Sequence, residues 1–527
     1  MNAIEVVLVL LAVVTGLALV ARRLGLPDAV LLVVAGLVIG FLPGIPSVEI
    51  QPDLVFLLFL PPILFGAGYF TSIRDLRANL RPILFLAVGA VLFTVLVVGL
   101  AAQALVPGLP PAVAFALGAI VAPPDAIAAT SIFRRLGAPR RTVVILEGES
   151  LLNDATALVA LRAAVAAALT GTFSVGEAGL GFVVVAAGGL AVGAIAALAL
   201  RAVLARLNDP TLGIVLTMLF PFPTYVAAET LHLSGVLAVV LAGLLIGRWA
   251  PRILTSDQRV QGTAAWSVLI FVINGLVFIL IGLRLPSILA AVSTGRSAAD
   301  LAWLGTAIAL TVILARFAWV FPATYLPRLI SPHLRARDPS PKPGQVAIVS
   351  WAGMRGVVSL AAALSLPATL ADGVTPLPER DLVLFLSFAV IFATLVVQGL
   401  TLAPLMRLLH VVAGDETDTE VAHARLVALR AALQRLDGLA VEWPGHLPLI
   451  EQLRTAFEHR AEHIDASRDG DASEAEQEII EHRLIRRSVI DAERDAVIEL
   501  RDEGRIGDDA LRDVERDLDL EELRMED

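Results

Sequence analysis

The chain has 527 residues, of which 57% are apolar, 17% are charged and none is cysteine. This composition excludes an ordinary soluble domain, and the absence of cysteine excludes disulfides, thiolate metal sites and cysteine nucleophiles. Residues 1–410 hold 25 basic and 18 acidic residues (net +7), whereas residues 411–527 hold 15 and 32 (net −17). We therefore expect a membrane domain over 1–410 and an acidic helical tail over 411–527, with no basic surface for nucleic acid.

Apolar runs long enough to cross a bilayer, roughly 20 residues each, recur from Ala3 to His410. The first run lacks a basic start and a small-residue cleavage site, so we expect a retained span and not a signal peptide. The fold class is therefore all-α and polytopic. Thirteen transmembrane spans are predicted, at 3–21, 28–44, 53–71, 82–106, 111–133, 142–170, 178–200, 210–230, 233–247, 262–283, 300–327, 345–370 and 381–410.

Basic residues alternate between the loops that join these spans. The loops after the odd-numbered spans up to the eleventh carry two to four Arg or Lys each, whereas the intervening loops are nearly free of them, with Arg284 and Arg296 as the main exceptions. Loops rich in Lys and Arg face the cytoplasm. We therefore expect a multi-pass protein of the cell (plasma or inner) membrane, with its amino terminus outside and its tail in the cytoplasm.

Few ionisable residues are predicted to lie at membrane depth, where each costs at least roughly 2.5–3.5 kcal/mol. They are Asp125, Glu147, Glu149, Asp154, Arg162, Glu229, Arg316 and Arg355. Such residues usually line a transport pathway or pair with one another. We expect Arg162 and Arg316 to anchor their helices or to reach the membrane surface, and the sequence predicts no specific role for Glu229.

The fifth span reads GAIVAPPDAIAATS, with Pro123 and Pro124 directly before Asp125. Two prolines remove two amide donors and clash with the preceding turn, so we expect the helix to break here. A break exposes backbone carbonyls, such as that of Pro124, and half-helix ends that can hold a cation. The alternative is a structural kink in which Asp125 caps the second half-helix, but Pro-Pro-Asp at mid-span favours a binding site.

In the sixth span, Ser150, Asn153 and Asp154 are spaced i, i+3 and i+4 and therefore share one helix face. A hydroxyl, an amide oxygen and a carboxylate suit a mostly dehydrated monovalent cation and lack the charge of a calcium or magnesium cage. The alternative is a cluster of polar side chains that holds neighbouring helices together. This alternative explains the carboxylate of Asp154 poorly. We predict a monovalent cation at Asp154, Asp125 and Ser150, with Asn153 beside it and no resident cofactor.

Arg355 lies in SWAGMRGVVSLAAALSLP, where Gly353 and Gly356 weaken the twelfth helix. An arginine at this position can pair with a carboxylate or neutralise the carbonyl end of a broken helix. Glu149 is the candidate partner, in an ion pair that is structural and does not take part in transport.

The breaks around Asp125 and Arg355 fall in the fifth and the twelfth of the thirteen spans. If spans 1–6 and 8–13 form two inverted repeats, these breaks occupy the same position in each repeat. Interrupted helices in corresponding positions indicate the binding site of a secondary transporter at the membrane midplane.

Four stretches of the chain resemble monovalent cation:proton antiporters of the sodium/proton exchanger superfamily, in the exchanger-like branch with an Asn-Asp motif. They are LPPILFGAGYF (60–70), APPDAIAATSIFRRLGAPRR (122–141), EGESLLNDATAL (147–158) and WAGMRGVVSLAAALSLP (351–367). The resemblance implies a homodimer of thirteen-helix protomers, each with an interface domain and a mobile core domain. It also implies an ion- and proton-binding role for Asp154, Asp125, Ser150 and Asn153, and an ion pair of Glu149 with Arg355.

This chain departs from the family pattern at two positions. Many relatives have Thr-Asp-Pro in the broken helix, whereas this chain has Pro124-Asp125-Ala126, which removes a threonine hydroxyl. Relatives also often carry an acid in the third span where this chain has Gly66. A ligand from that span is therefore missing.

The resemblance implies an antiporter that serves pH homeostasis by exchanging a monovalent cation for H⁺, not an enzyme. A carboxylate kept from water releases its proton less readily, so a cation can compete for it near neutral pH. We expect Na⁺, with K⁺ as the alternative. Asn153 stands where electrogenic relatives have a second aspartate, so we expect electroneutral exchange through competition at Asp154.

Other function classes fit the sequence less well. A channel or a different solute carrier would conduct without proton counterflow, and a membrane enzyme would need a nucleophile or metal constellation, yet His232 and His410 lie near span ends. A membrane sensor would need a kinase or nucleotide motif in the tail, which has none. Residues 415–527 read as amphipathic helices, which are compatible with a dimerising or a regulatory role.

Overall fold

The structure, a computed structural model, describes residues 3–42, 55–172, 174–207, 209–293, 295–370, 372, 374–411, 416–466, 472–503, 505 and 508–526. Over this part of the chain it is helical without a β-strand, and an isolated bridge joins Thr369 to Pro376. The all-α fold expected from the sequence is confirmed. Two compact units divide the chain, Met1–Ala413 and Gly414–Asp527.

The first unit consists of long apolar helices, several of which contain short π-helical turns or breaks. Its first part contains α1 (Ala3–Leu24), α2 (Asp28–Gly40), a π-helical turn (Val55–Phe59), α3 (Leu60–Phe70), α4 (Ile73–Ala78), α5 (Leu80–Leu84), a π-helical turn (Phe85–Ala90), α6 (Val91–Leu105), α7 (Pro111–Val121), α8 (Ala126–Arg135) and α9 (Arg140–Thr170). Its second part contains α10 (Val175–Leu204), α11 (Pro210–Leu219), α12 (Pro221–Thr230), α13 (Gly235–Ile253), α14 (Ser256–Val292), α15 (Ala298–Ile330), α16 (Pro332–Arg337), α17 (Pro343–Trp351), α18 (Val357–Leu364), α19 (Arg380–Ala393), a π-helical turn (Thr394–Gln398) and α20 (Gly399–Leu408).

Much of the apolar surface of this unit faces outward. Among the described residues, nine helical segments are long and apolar enough to cross a membrane, and Asp28–Gly40 and Phe56–Phe70 are shorter apolar helices. Side chains such as Leu180, Ile195 and Leu314 are more than half exposed, as expected where lipid and not water covers the surface. The polytopic membrane fold is confirmed, whereas the count of thirteen spans and the inverted repeats remain predictions.

The helices of this unit pack in two sets. Helices α1–α3 pack chiefly with α10–α14, and we call them the scaffold helices. Helices α5–α9 pack chiefly with one another and with α15 and α17–α20, and we call all of these the core helices. Both interrupted helices, α7/α8 and α17/α18, belong to the core set, so the candidate site is built mainly by that set.

Glycines allow the scaffold helices to approach one another closely. Gly36 on α2 faces Gly282 on α14, and a Cβ atom on Gly36 would overlap the carbonyl of Ile279 and lie 3.1 Å from the Cα of Gly282. On α3, a Cβ on Gly68 would lie 2.6 Å from the carbonyl oxygen of Val240. Small residues at such contacts let backbones pack directly, which is a main source of helix association in membranes.

The second unit is a set of amphipathic helices, as the sequence predicts. It contains α21 (Glu416–Glu442), a 3₁₀ turn (Pro444–His446), α22 (Leu447–Ala466), α23 (Ala472–Asp502) and α24 (Asp508–Glu526). Partly exposed ion pairs join its helices, including Arg454 with Asp437 at 2.8 Å and Arg494 with Glu522 at 2.8 Å. Pairs of this kind contribute little each, so apolar residues such as Leu426 and Ile450, which are buried, carry most of the packing.

The glycine contact predicts that Gly36→Ala destabilises the membrane unit. The added methyl group forces α2 and α14 apart, at a cost of about 1–3 kcal/mol, and we expect a lower thermal unfolding temperature in detergent. Gly16→Ala on α1 is the matched control, because a Cβ there meets no heavy atom within 4 Å. The control should be neutral or stabilising, since alanine favours a helix over glycine. Equal effects of the two substitutions would contradict the packing described here.

Candidate functional site

Two interrupted helices cross at the centre of the core set. Helix α7 ends at Val121 and α8 begins at Ala126, while α17 ends at Trp351 and α18 begins at Val357. The backbone N–H of Asp125 donates a hydrogen bond of 2.6 Å to the carbonyl of Met354, which joins one break directly to the other. The breaks expected from the Pro-Pro pair and from the glycines around Arg355 are therefore both present, and they contact each other.

Asp125 lies where two half-helices begin. Its carboxylate accepts a hydrogen bond of 2.8 Å from the N–H of Ile127 and so caps α8, and it also interacts with the backbone amide of Val357, the first residue of α18. A Cβ atom at Gly356 would lie 2.8 Å from the Cβ of Asp125, so only glycine leaves room for this approach. Helix amino termini carry partial positive charge, which the carboxylate of Asp125 balances at both helices.

Arg355 binds backbone carbonyls near the carboxyl ends of the broken helices. Its side chain is 1% exposed; Nε donates a hydrogen bond of 2.8 Å to the carbonyl of Val121, and Nη1 donates to the carbonyl of Gly353. Its backbone N–H donates to the hydroxyl of Thr394 at 3.2 Å. The guanidinium group thus neutralises the carbonyl end of α7, one of the two roles that the sequence indicates.

The predicted ion pair between Glu149 and Arg355 is wrong. Glu149 instead forms a two-point ion pair with Arg316 on α15, with N–O distances of 2.5 and 2.8 Å. Arg316 also donates to the carbonyl of Val349 near the end of α17. Arg355 is occupied by the carbonyls that the breaks expose. Arg316, 2% exposed at the middle of a long helix, cannot reach the membrane surface, so the expectation that it anchors its helix there is also wrong.

Asp154 lines a cavity of about 460 Å³ between the core and the scaffold helices. Its side chain is 6% exposed, and it interacts electrostatically with Asp125 in the same cavity. Four of the sequence-predicted residues line the cavity: Pro124, Asp125, Ser150 and Asp154. Scaffold residues on the facing wall include Leu60, Gly66 and Ile270, which offer no charge opposite the two carboxylates.

Asn153 has a different position from the other predicted residues. It is fully buried and does not line the cavity; its Nδ2 donates a hydrogen bond of 2.8 Å to the carbonyl of Pro124. The neighbouring hydroxyl of Ser150 accepts a longer bond of 3.4 Å from the N–H of Ala126. Asn153 and Ser150 therefore hold the break of α7/α8 against α9, and no second donor from the described residues bonds to the Pro124 carbonyl.

Helix α9 carries ion pairs on both sides of Asp154 along the helix. Toward the amino terminus of α9, Glu147 pairs with Arg134 at 2.7 Å, and both residues line the cavity. Toward its carboxyl end, Arg162 pairs with Glu229 on α12 at 2.7 Å, and Glu229 also accepts a bond from the N–H of Gly235. Glu229 thereby links a core helix to the scaffold, a role that the sequence did not indicate.

Sequence reasoning missed two further features of the cavity. Ser359 on α18 lines it, and the only signal was a lone hydroxyl four residues after Arg355. Gly66 is packed so closely that a Cβ there would lie 2.7 Å from the Cδ1 of Ile270. The site thus offers two carboxylates with neutral hydroxyl and carbonyl oxygens, a set suited to one monovalent cation or a proton.

Known proteins that are similar to this chain support the membrane fold described above. A protein of Mycobacterium tuberculosis described as an uncharacterized Na⁺/H⁺ exchanger is 35% identical, over 99% of this chain and 96% of its own length. The sodium, potassium, lithium and rubidium/H⁺ antiporter of Bacillus subtilis is 34% identical over 76% of this chain and 61% of its own length. The structure of the sodium proton antiporter MjNhaP1 from Methanocaldococcus jannaschii at pH 8 shares the fold, with a TM-score of 0.62, 22% identity, and coverage of 77% of this chain and 98% of that one.

The family comparison covers nearly the whole membrane unit. Residues 9–408 match the sodium/hydrogen exchanger family, whose transmembrane domain this region represents. Proteins of this family are secondary transporters that exchange cations for protons, not enzymes. The chain is therefore a multi-pass membrane antiporter that belongs to the sodium/hydrogen exchanger family.

Proposed function

We propose that this antiporter exchanges one Na⁺ for one H⁺ across the cell membrane, and that both bind at Asp154. The observation that carries the proposal is the position of Asp154, almost fully buried yet in contact with a cavity, beside the crossing of two interrupted helices. A carboxylate in such a place binds either a proton or a partly dehydrated cation, but not both. Competition of this kind couples the two fluxes.

The surrounding residues have separate roles in this mechanism. When a cation enters, Asp154 supplies the charge, and the hydroxyl of Ser150 and the free lone pair of the Pro124 carbonyl replace part of its water. Asp125, anchored by the amides of two half-helices, contributes negative potential without leaving its place. Protonation of Asp154 then expels the cation on the opposite side.

Electroneutral exchange follows from the charge of the site. Asn153 is neutral and engaged with the Pro124 carbonyl, so Asp154 is the carboxylate whose charge is exchanged. A bound Na⁺ and a bound H⁺ each cancel that charge, and the two loaded states have the same net charge. Movement of the core helices between the two sides then carries no net charge across the membrane.

The two ion pairs along α9 favour an arrangement open to one side. The cavity reaches the pair of Arg134 with Glu147, at the end that carries the arginine-rich loop 134–141, which we assign to the cytoplasm. On the other side, Arg162 and Glu229 tie α9 to the scaffold, and we place the closed end of the route from Asp154 there. The amino terminus then lies outside the cell, and the acidic unit 414–527 lies in the cytoplasm.

The choice of ion rests on the relatives and on the oxygen set. Na⁺ is named for the mycobacterial and the archaeal proteins, and we propose it as the substrate. K⁺ is the second candidate, because the Bacillus relative is named for sodium, potassium, lithium and rubidium. We further propose that the protein works as a homodimer in the lipid bilayer and that unit 414–527 has a regulatory role.

The direct test follows the internal pH of proteoliposomes after addition of Na⁺, K⁺ or Li⁺, with the voltage either clamped or free. We expect Na⁺ to drive proton release at a rate that does not change with voltage, because the exchange moves no net charge. Liposomes without protein provide the control. A rate that depends on voltage would exclude one-for-one exchange, and a response to K⁺ alone would select the second candidate.

Asp154→Asn removes the exchangeable charge and keeps the side-chain volume. We expect loss of all cation-dependent proton flux, with an unchanged elution profile and thermal unfolding temperature in detergent. Asp257→Asn, in the exposed first turn of α14, is the matched control and should transport like the wild type. Wild-type flux in Asp154→Asn would reject the role assigned to this carboxylate.

Glu149→Gln should reduce stability before it changes ion selectivity. Removing one member leaves the charge of Arg316 buried without its partner, which costs about 3–5 kcal/mol. Replacing both residues, in the double variant Glu149→Gln/Arg316→Gln, should recover part of the lost stability.

A double-mutant cycle on unfolding temperatures distinguishes the two possible partners. The cycle of Glu149 with Arg316 should show strong coupling, and the cycle of Glu149 with Arg355 should show much less. Glu147→Gln is the control, since its pair with the exposed Arg134 should contribute less than about 1 kcal/mol. Stronger coupling of Glu149 to Arg355 would contradict the observed pairing.

A further inference from the structure

Ser359 carries a buried hydroxyl beside the proposed ion site. It lies in the first turn of α18, just after the break around Arg355, and its side chain is 1% exposed. Its Oγ has no partner among the described residues. It lines the same cavity as Asp154, Asp125 and Ser150.

An unpaired buried hydroxyl is unfavourable, because it loses its hydrogen bonds to water without replacement, at a cost of about 1–3 kcal/mol. Serines in helices usually avoid this by bonding to the carbonyl of the preceding turn. Ser350 on α17 bonds in this way to Val346 at 2.8 Å, and Ser387 on α19 bonds to Val383 at 2.7 Å. Both are as buried as Ser359, so burial alone does not explain why Ser359 stays unpaired.

A cation bound in the cavity requires a further oxygen ligand, which the hydroxyl of Ser359 can supply. A dehydrated Na⁺ requires several oxygen ligands, and Asp154, Ser150 and Pro124 all lie on one side, on α9 and the break before α8. The scaffold hydroxyls that line the cavity, those of Thr71, Thr263 and Ser267, each donate to the carbonyl four residues earlier in the chain, and Ile270 fills the space at Gly66. Ser359 offers an oxygen from the second interrupted helix.

We propose that the Oγ of Ser359 is a ligand of the transported cation and that it favours small ions, Na⁺ and Li⁺, over K⁺. This inference rests on the proposed function, since it assigns a further ligand to the same site. A neutral hydroxyl adds an oxygen without adding charge, so the one-for-one balance between cation and proton is kept. Small ions gain most from it, because they are the most strongly hydrated and need the most complete replacement of water.

This ligand has a consequence for how the core helices move during exchange. The site then takes ligands from both interrupted helices, Ser150 and Pro124 beside the first and Ser359 on the second. A bound cation therefore bridges the two breaks, which are already joined by the bond from Asp125 to Met354. The cation stabilises the crossing as one body while the core helices move.

Ser359→Ala tests the proposal, because it removes one oxygen and leaves the packing nearly intact. Binding is followed by the rise in unfolding temperature that Li⁺, Na⁺ or K⁺ produces in detergent, since a ligand that binds the folded state stabilises it. We expect the Na⁺ concentration for half the effect, and the apparent KM for Na⁺ in proteoliposomes, to rise about tenfold. The corresponding values for K⁺ should change less.

The unfolding temperature without cation separates a ligand from a structural residue. Removal of an unpaired hydroxyl should leave this temperature unchanged or raise it. The matched control is Ser387→Ala, which removes a bonded hydroxyl away from the cavity; it should lower the temperature slightly and leave the Na⁺ response as in the wild type. A lowered temperature in Ser359→Ala together with a wild-type Na⁺ response would overturn the proposal.

Two further outcomes distinguish this proposal from the proposed function. If Na⁺ stabilises the wild type and Ser359→Ala weakens that effect, yet no proton flux accompanies Na⁺, the ligand assignment stands and one-for-one exchange fails. If Asp154→Asn abolishes the Na⁺ response and flux whereas Ser359→Ala alters neither, the exchange mechanism stands and the ligand assignment fails. If no cation stabilises the wild type, both fail.

Discussion

Backbone groups that two interrupted helices leave unpaired inside the membrane are the constraint on which this site depends. Unsatisfied amides and carbonyls are costly where water is absent, so each end of each break needs a partner. Asp125 meets the amino ends of α8 and α18, and Arg355 meets the carbonyl end of α7. The two breaks also satisfy each other through the bond from Asp125 to Met354. The backbone groups exposed at these ends therefore find partners within the core itself.

Because the crossing is satisfied from within, the cavity beside it can serve an exchangeable ligand. Asp154 is not required by either break, and no hydrogen bond from a neighbouring amide fixes its carboxylate among the described residues. Asn153, one position earlier, has the structural task of holding the Pro124 carbonyl. Adjacent residues of one motif thus have different surroundings: the amide of Asn153 holds the interrupted helix, and the carboxylate of Asp154 lines the cavity.

The buried ion pair of Glu149 with Arg316 neutralises two further charges inside the core. Three core helices meet there, since Arg316 on α15 binds the carboxylate on α9 and the Val349 carbonyl on α17. A pair buried this deeply contributes little net stability compared with apolar packing, but the loss of one member is severe. The pair therefore ties α9, which bears Asp154, to α15 and α17.

The helical membrane fold, the break at Pro123 and Pro124, and the polar face that bears Asp154 can all be predicted from the amino-acid sequence, because hydropathy, proline chemistry and helical spacing are local properties. The tertiary structure alone decided which arginine meets Glu149, since two buried arginines were available and only their distances in space distinguish them. It also revealed the unpaired hydroxyl of Ser359, because whether a buried oxygen has a partner depends on neighbours that are remote in the chain.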